Sequence, residues 1–455
     1  FNIKRVTTVD FVGYSREHGV YVFGDIAVKG GQIHELNAED YFDLPKLAIK
    51  TLNLGIGLRI NRDRSDYRTD WVEWVWACYG PKGVVALAFW LGSLFAEQIR
   101  AEHKSFPFLE VVGDPGAGKS TLIEFLWKLV GRVDYEGFDP SKSTLAARAR
   151  NFAQVSNLPV VLIEGDRDDA KQKGFDWDEL KTAYNGRSVR ARGLKNSGND
   201  TYEPPFRGAI VISQNAPVQA SEPVLQRIVH LHFDRRGHTN ATKVLAEQME
   251  RAGVEHVSGF VLAATRREER VMATVTERTP VHQETLLELP GLKSVRIAKN
   301  HAQLMALVEA VAQVVPLSRE AVAATLQELR DMALARQSAI NADHPQVTEF
   351  WELFDYLNER SEPRSNRVPV GLEDDDLAGE PLNHARDRQH IAVSLVQFAE
   401  AAARQGLRHA PLAELKPLLR TSKARKFIDI KTVNSRHGGR SVKCWVFSTS
   451  HRDPD

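Results

Sequence analysis

Eight consecutive residues, Gly113-Asp114-Pro115-Gly116-Ala117-Gly118-Lys119-Ser120, carry the most specific chemistry in this 455-residue chain. Their spacing is GxxxxGKS. Glycines let successive backbone N–H groups turn inward around an anion, a helix starting at the end of the loop adds its positive dipole, and a lysine ammonium neutralises outer phosphates. The pattern predicts a nucleoside triphosphate cradle over residues 113–121, ending in Thr121, with Lys119 on the β and γ oxygens of ATP and the Ser120 hydroxyl on Mg2+. Its surroundings agree, because Phe108-Leu109-Glu110-Val111-Val112 reads as a strand and residues 121–130 as an amphipathic helix.

Two more strand ends hold candidate catalytic groups. Val160-Val161-Leu162-Ile163 runs into Glu164-Gly165-Asp166, and carboxylates at a sheet edge beside such a loop hold Mg2+ and polarise an attacking water. Either acid also reads as a solvated loop residue. Gly208-Ala209-Ile210-Val211-Ile212-Ser213 runs into Gln214-Asn215, where a neutral amide orients water or touches the γ-phosphate. An Asx-type turn before Pro217 is the alternative.

With Arg227 in Pro223-Val224-Leu225-Gln226-Arg227-Ile228-Val229, these motifs resemble those of a superfamily 3 helicase, the AAA+ branch that viruses, phages, satellites and plasmids use for replication. The resemblance covers residues 105–240. It implies ATP and Mg2+ as cofactors, a homo-oligomer of six subunits, and hydrolysis at their interfaces, with Arg227 reaching the γ-phosphate held by a neighbour. Read by itself, Arg227 is also a surface arginine before an edge strand. The family usually has adjacent acids after its second strand, whereas Gly165 separates Glu164 from Asp166, so the acid serving Mg2+ stays open. Family members often follow a primase domain, which suits a chain opening at Phe1 and expected to be a piece of something longer.

Nucleic acid is the expected partner at two places. Residues 188–200 form two strand-like segments about a polar turn and bring Arg190, Arg192, Lys195 and Asn196. In the family a hairpin here grips single-stranded DNA inside the ring, which puts Lys195 and Asn196 at or near its tip; a solvated basic hairpin is the other reading. At the C-terminus, expected helices at 392–404, 412–415 and 417–425 precede strands at 427–434 and 440–447 around His437-Gly438-Gly439. That order resembles a winged helix. It would set Lys423, Arg425 and Lys426 near a groove of duplex DNA and Arg436 and Arg440 on its backbone. Residues 391–455 hold 12 Lys and Arg against 5 Asp and Glu, which favours DNA over the protein docking that such modules also perform.

The elements that must position these groups divide the chain into six parts. Residues 1–60 alternate in a β pattern around Gly30-Gly31, and 61–105 are helical with Trp71, Trp74, Trp76, Phe89, Trp90 and Phe95, read as packing aromatics. Residues 106–240 alternate strands and helices, the signature of an α/β ATPase core with a largely parallel sheet. Helical periodicity covers 241–359, a proline-containing acidic run at 360–386 reads as a linker, and 387–455 is the winged-helix region. Fold class is therefore α/β, an AAA+ P-loop core with flanking helices and a C-terminal winged helix.

Composition narrows the classes further. Hydrophobic residues at 42% and charged residues at 26% exclude a disordered, collagenous or coiled-coil chain. Two distant cysteines, Cys78 and Cys444, support neither a disulfide framework nor a zinc site, so a reducing bacterial cytoplasm is expected. The longest apolar stretch, residues 83–96, falls short of the roughly 20 residues that a membrane span needs. The resemblance to superfamily 3 implies a replicative DNA helicase moving 3′ to 5′, with a nucleotide-switched DNA-binding initiator or loader as the second reading. A metabolic kinase lacks an evident acceptor site.

Overall fold

The computed structural model describes residues 4–163, 175–189, 192–193, 201–361 and 381–449. Two compact units follow one another, residues 1–337 and 338–455.

The first unit is built on one eight-stranded sheet. Its order is Ile228–Phe233, Phe108–Gly113, Arg207–Gln214, Val155–Ile163, Val12–Ser15, Val20–Val22, Ile26–Lys29 and Gln32–Glu35. The first five strands are parallel and the last four form an antiparallel meander. All six residues of Phe108–Gly113 are buried, and so are seven of the eight in Arg207–Gln214. Such unbroken apolar runs are what a parallel sheet covered on both faces requires. The Gly30-Gly31 turn has φ of 55° and 73°, which matches the primed hairpin turn that double glycines favour.

The first 60 residues do not stand apart from the core. Val12 and Gly13 pair in parallel with Val155 and Ser156, so the meander extends the central sheet. Gly13 makes this junction possible: at φ of 118°, a Cβ there would lie 1.7 Å from the Ser156 carbonyl oxygen.

Helices cover the sheet. Trp71–Ser93 bends at Gly80, which is non-helical (φ 54°), and this break accommodates Pro81. Trp71, Phe89, Trp90 and Phe95 are fully buried, so these aromatics pack the core as expected. Val295–Val314 buries Leu304, Leu307, Val308 and Val311 on its periodic face. Among the described residues no single helix is long and apolar enough to cross a membrane.

The second unit contains helix Pro345–Ser361, strand His390–Val393, helices Leu395–Arg404 and Leu412–Leu419, and strands Phe427–Asn434 and Ser441–Ser448. Ser441–Ser448 is the middle strand of a three-stranded antiparallel sheet. Three sequence expectations change here. Phe350, Trp351, Phe354 and Leu357 share one core with Phe398, Leu419 and Phe447, so the end of the 241–359 helical region belongs to this unit. The expected helices 412–415 and 417–425 are one helix ending at Leu419, because Pro417 is accommodated inside it. The linker is shorter at its far end, since Leu382, His384 and Ala385 are buried.

Candidate nucleotide-binding site

Register puts the chemistry on one edge. Phe233 pairs with Gly113, Gln214 with Val112, and Ser213 with Ile163. The carboxyl ends of all four core strands therefore lie along one edge of the sheet, where open parallel sheets bind ligands.

The phosphate loop takes the shape its glycines allow. Gly116 and Gly118 adopt φ of 79° and 83°, and Gly113 lies so near Phe233 that a Cβ would come within 2.2 Å of its carbonyl oxygen. Helix Lys119–Leu129 starts at the end of this loop, which directs its free N–H groups toward the cradle. Lys119 Nζ donates to the Gly113 carbonyl and to Asn215 Oδ1 at 2.7 Å. Burial pushes the ammonium below its usual range, while Asp114 and Glu136 act in the opposite direction. The expected partners Lys119 and Asn215, 96 positions apart, thus meet.

Mg2+ calls for hard oxygen donors and relies heavily on substrate phosphates. Ser120 Oγ donates to Glu136 Oε1 at 2.9 Å. Glu136 is held by its own backbone, which accepts from Trp127 Nε1 at 2.9 Å, and by the bridge between Phe138 and Leu162 beside it. Ser120 and Glu136 suit a cation bound chiefly through a nucleotide. Among the described residues no group of three or more His, Cys, Asp or Glu forms a self-sufficient metal cage. The expected acids Glu164 and Asp166 lie outside the described residues.

Tyr79, Arg235 and Glu250 at this edge were not read from the sequence. Tyr79 donates from its hydroxyl to the Gly118 carbonyl at 3.0 Å, Arg235 donates to the Pro115 carbonyl, and Glu250 accepts from the expected Thr121 Oγ1 at 3.0 Å. A cleft of about 430 Å3 opens beside the loop, with Cys78, Tyr79, Gly118, His238 and Asn240 in its lining. Its volume lies in the range of small-molecule sites. Beneath the edge, Glu110 is fully buried and pairs with His230 Nδ1 at 2.6 Å. Its other oxygen accepts the Val218 N–H and, at 3.4 Å, the Gln214 amide. An acid inside the apolar run Phe108-Leu109-Glu110-Val111-Val112 was the available signal for this cluster.

Arg227 sits at the opposite end of the edge strand. It lies over the Tyr184 ring at 5.1 Å and donates to the Pro223 carbonyl, and burial together with nearby Arg296 lowers its pKa. Six strand residues separate it from the phosphate loop of its own chain, about 20 Å at 3.3 Å per residue.

The expected DNA contacts are placed unevenly. Arg192–Gly193 pairs antiparallel with Thr201–Tyr202, flanking the expected hairpin turn. Arg190, Lys195, Asn196 and the Arg192 side chain lie outside the described residues. In the second unit, Lys423 donates to the Ile340 carbonyl, and its backbone N–H is held by Asp343. Arg425 pairs with Asp355 at 2.5 Å and stacks over Trp351 at 4.5 Å. Both side chains are thus tied to partners within the unit while remaining partly exposed. Lys426, Arg436 and Arg440 are not drawn into that core, and Arg436 and Arg440 are exposed beside the Gly438-Gly439 turn.

No family model matches the sequence, and no curated protein matches it. Among solved structures it is similar to one described as "SCCmec type IV Cch - active helicase", with a TM-score of 0.56 and 11% identity over 98% of this chain and 79% of that one. Weaker likenesses reach the NrS-1 C-terminal region (TM-score 0.33, 10% identity, 94% of this chain and 97% of that one) and an ATPase from Cytophaga hutchinsonii (TM-score 0.27, 13% identity, 55% and 86%). The chain therefore shares the α/β fold of a helicase along nearly its whole length.

Proposed function

We propose that this chain is an ATP-driven DNA helicase of the superfamily 3 kind, acting as a ring of six subunits that moves 3′ to 5′ along one strand. The contact that carries this reading is Lys119 to Asn215 at 2.7 Å, which joins the phosphate loop to the amide at the end of a neighbouring parallel strand. Backbone N–H groups of residues 113–120 and Lys119 hold the triphosphate, and Asn215 orients the γ-phosphate or the attacking water. Ser120 and Glu136, with Glu164 or Asp166, would hold Mg2+, which would neutralise phosphate charge when bound. Arg227 is a strand's length from its own loop, so its contribution to hydrolysis is to the site of an adjacent subunit.

The second unit supports a duplex-binding role. Its order of helix, strand, two helices and two strands, with the last strand central in the sheet, resembles that of a winged helix and supports this reading. Arg436 and Arg440 on the wing are its candidate backbone contacts, with Lys426 at the opposite end of strand Phe427–Asn434. A second reading, a nucleotide-switched initiator or loader, draws on the anchoring of Arg227 to its own Pro223 and Tyr184. ATPase assays with single-stranded DNA, run beside strand displacement on a 3′-tailed fork, separate the two. Hydrolysis without displacement favours the loader; neither activity, or full hydrolysis by Lys119→Ala, overturns the site assignment.

A further inference from the structure

A second cationic cleft lies away from the phosphate loop. Its volume is about 500 Å3, and it is walled by the 61–69 segment and the helices around residues 259–267. Arg59, just before that segment, donates its N–H to the Gly131 carbonyl, beyond the far end of helix Lys119–Leu129. Eleven helical residues at 1.5 Å each put about 16 Å between that end and the phosphate loop.

The cleft has a built frame. Asn61 N–H donates to Ser258 Oγ at 2.8 Å, and Arg68 N–H donates to the His256 carbonyl at 2.9 Å. Gly259 has no room for a side chain, because a Cβ there would lie 2.7 Å from the Tyr67 ring. The Tyr67 hydroxyl is itself buried and has no hydrogen-bond partner among the described residues.

Four arginines line the cleft, and they differ in how their charge is met. Arg62 is neutralised by Asp25 at 2.7 Å and Glu35 at 2.6 Å. Arg64, Arg266 and Arg267 have no acidic ion-pair partner among the described residues; Arg266 and Arg267 donate only to the Gly31 and Ala263 carbonyls. The one carboxylate in the lining, Asp63, is turned onto Ser65, whose N–H and hydroxyl both donate to it at 2.8 Å. Burial, then the charges of Arg64 and Arg267, lower the pKa of Arg266, the mark of cations crowded without a counter-charge. Guanidinium forks match phosphate oxygens in geometry as well as charge.

We infer that this cleft is a phosphate-binding site distinct from the nucleotide site, in which Arg64, Arg266 and Arg267 receive phosphate oxygens. The phosphate belongs either to a single-stranded DNA backbone or to a free polyphosphate. The test uses the full chain carrying Lys119→Ala, which weakens phosphate binding at the loop. Binding of a fluorescent dT20 oligonucleotide by anisotropy, and of inorganic pyrophosphate by calorimetry, is compared with and without Arg64→Gln and Arg266→Gln. Loss of two charge-assisted contacts should weaken the cognate probe at least tenfold. Without ligand, the melting temperature should hold or rise, because like-charge repulsion is relieved; a merely structural pair of arginines would lower it. Weaker dT20 binding alone identifies a DNA backbone, weaker pyrophosphate binding alone a free polyphosphate, and weaker binding of both the shared chemistry. If neither changes by more than twofold in the double variant or in Arg64→Gln alone, the inference is wrong.

Discussion

Glu110 offers the sharpest test of how the site is held. It is 0% exposed on the strand that feeds the phosphate loop, paired with His230 at 2.6 Å and accepting the Val218 N–H. Val218 lies three residues beyond Asn215, so this carboxylate anchors the turn that presents the amide to Lys119. Glu110→Ala leaves His230, the Val218 N–H and the charge of Arg336 without their partner, a change expected to cost about 3–5 kcal/mol. Glu110→Gln keeps the shape and one acceptor but gives up the charge-assisted bonds, at about 1–2 kcal/mol. For a unit of this size that corresponds to a fall of roughly 1–3 °C in Tm. Loosening the Asn215 turn should lower the kcat of ATP hydrolysis several-fold in Glu110→Gln while the KM for ATP stays near its original value. Burial alone would raise the Glu110 pKa, but the His230 bond, the His230 charge and the Val218 N–H bring it below the ordinary carboxylate range. Its stabilising contribution is therefore complete above the unfolded value of about 4.5 and lost as pH falls below it. Calorimetry across pH 3–7, with steady-state ATPase kinetics, checks both parts. A Glu110→Ala protein that keeps its Tm within 1 °C and its kcat would refute the anchoring argument; that margin is about 0.7 kcal/mol.

Other consequences follow from the same geometry. Glu136→Gln should raise the Mg2+ concentration needed for half-maximal ATPase several-fold with little change in stability, read from a Mg2+ titration. Mixing Lys119→Ala with Arg227→Ala subunits should restore part of the ATPase absent from each, because one supplies the arginine and the other a working loop; proven co-assembly without recovery speaks against action in trans. Buried His301 has its pKa lowered to about 4 by burial. The unfolded chain takes this proton near pH 6.5 and the folded one does not, so up to about 3 kcal/mol of stability should be lost between pH 6.5 and 4; His301→Gln should flatten that part of the Tm profile. Truncation before residue 385 should yield aggregating protein, since it strips Phe350, Trp351 and Phe354 of their partners, whereas ending the chain near residue 337 should leave a soluble ATPase; size-exclusion profiles distinguish the two.

The phosphate loop was legible in the sequence because its chemistry is local. Two left-handed glycines, a lysine and a serine within eight residues, between an apolar strand and an amphipathic helix, specify their geometry with little help from the rest of the chain. Asn215 was legible for a related reason, since strand-end position in a parallel sheet already implies the ligand edge. The Gly30-Gly31 hairpin and the Gly438-Gly439 turn were likewise set by positive φ at adjacent glycines. Strand order and long-range approach decided the rest. Glu136 meets Ser120 because residues 136–138 lie against the Val155–Ile163 strand, and Glu110 meets His230 because their strands, 120 positions apart, are neighbours in register. Charge counting drew Lys423 and Arg425 toward DNA, and only the folded chain shows that they also meet Asp343, Asp355 and Trp351. A cation's sequence neighbours do not reveal which surface its side chain will reach. The joining of the first 60 residues to the central sheet depended on the close approach of Gly13 to Ser156, a contact across 143 positions that only the folded chain brings about.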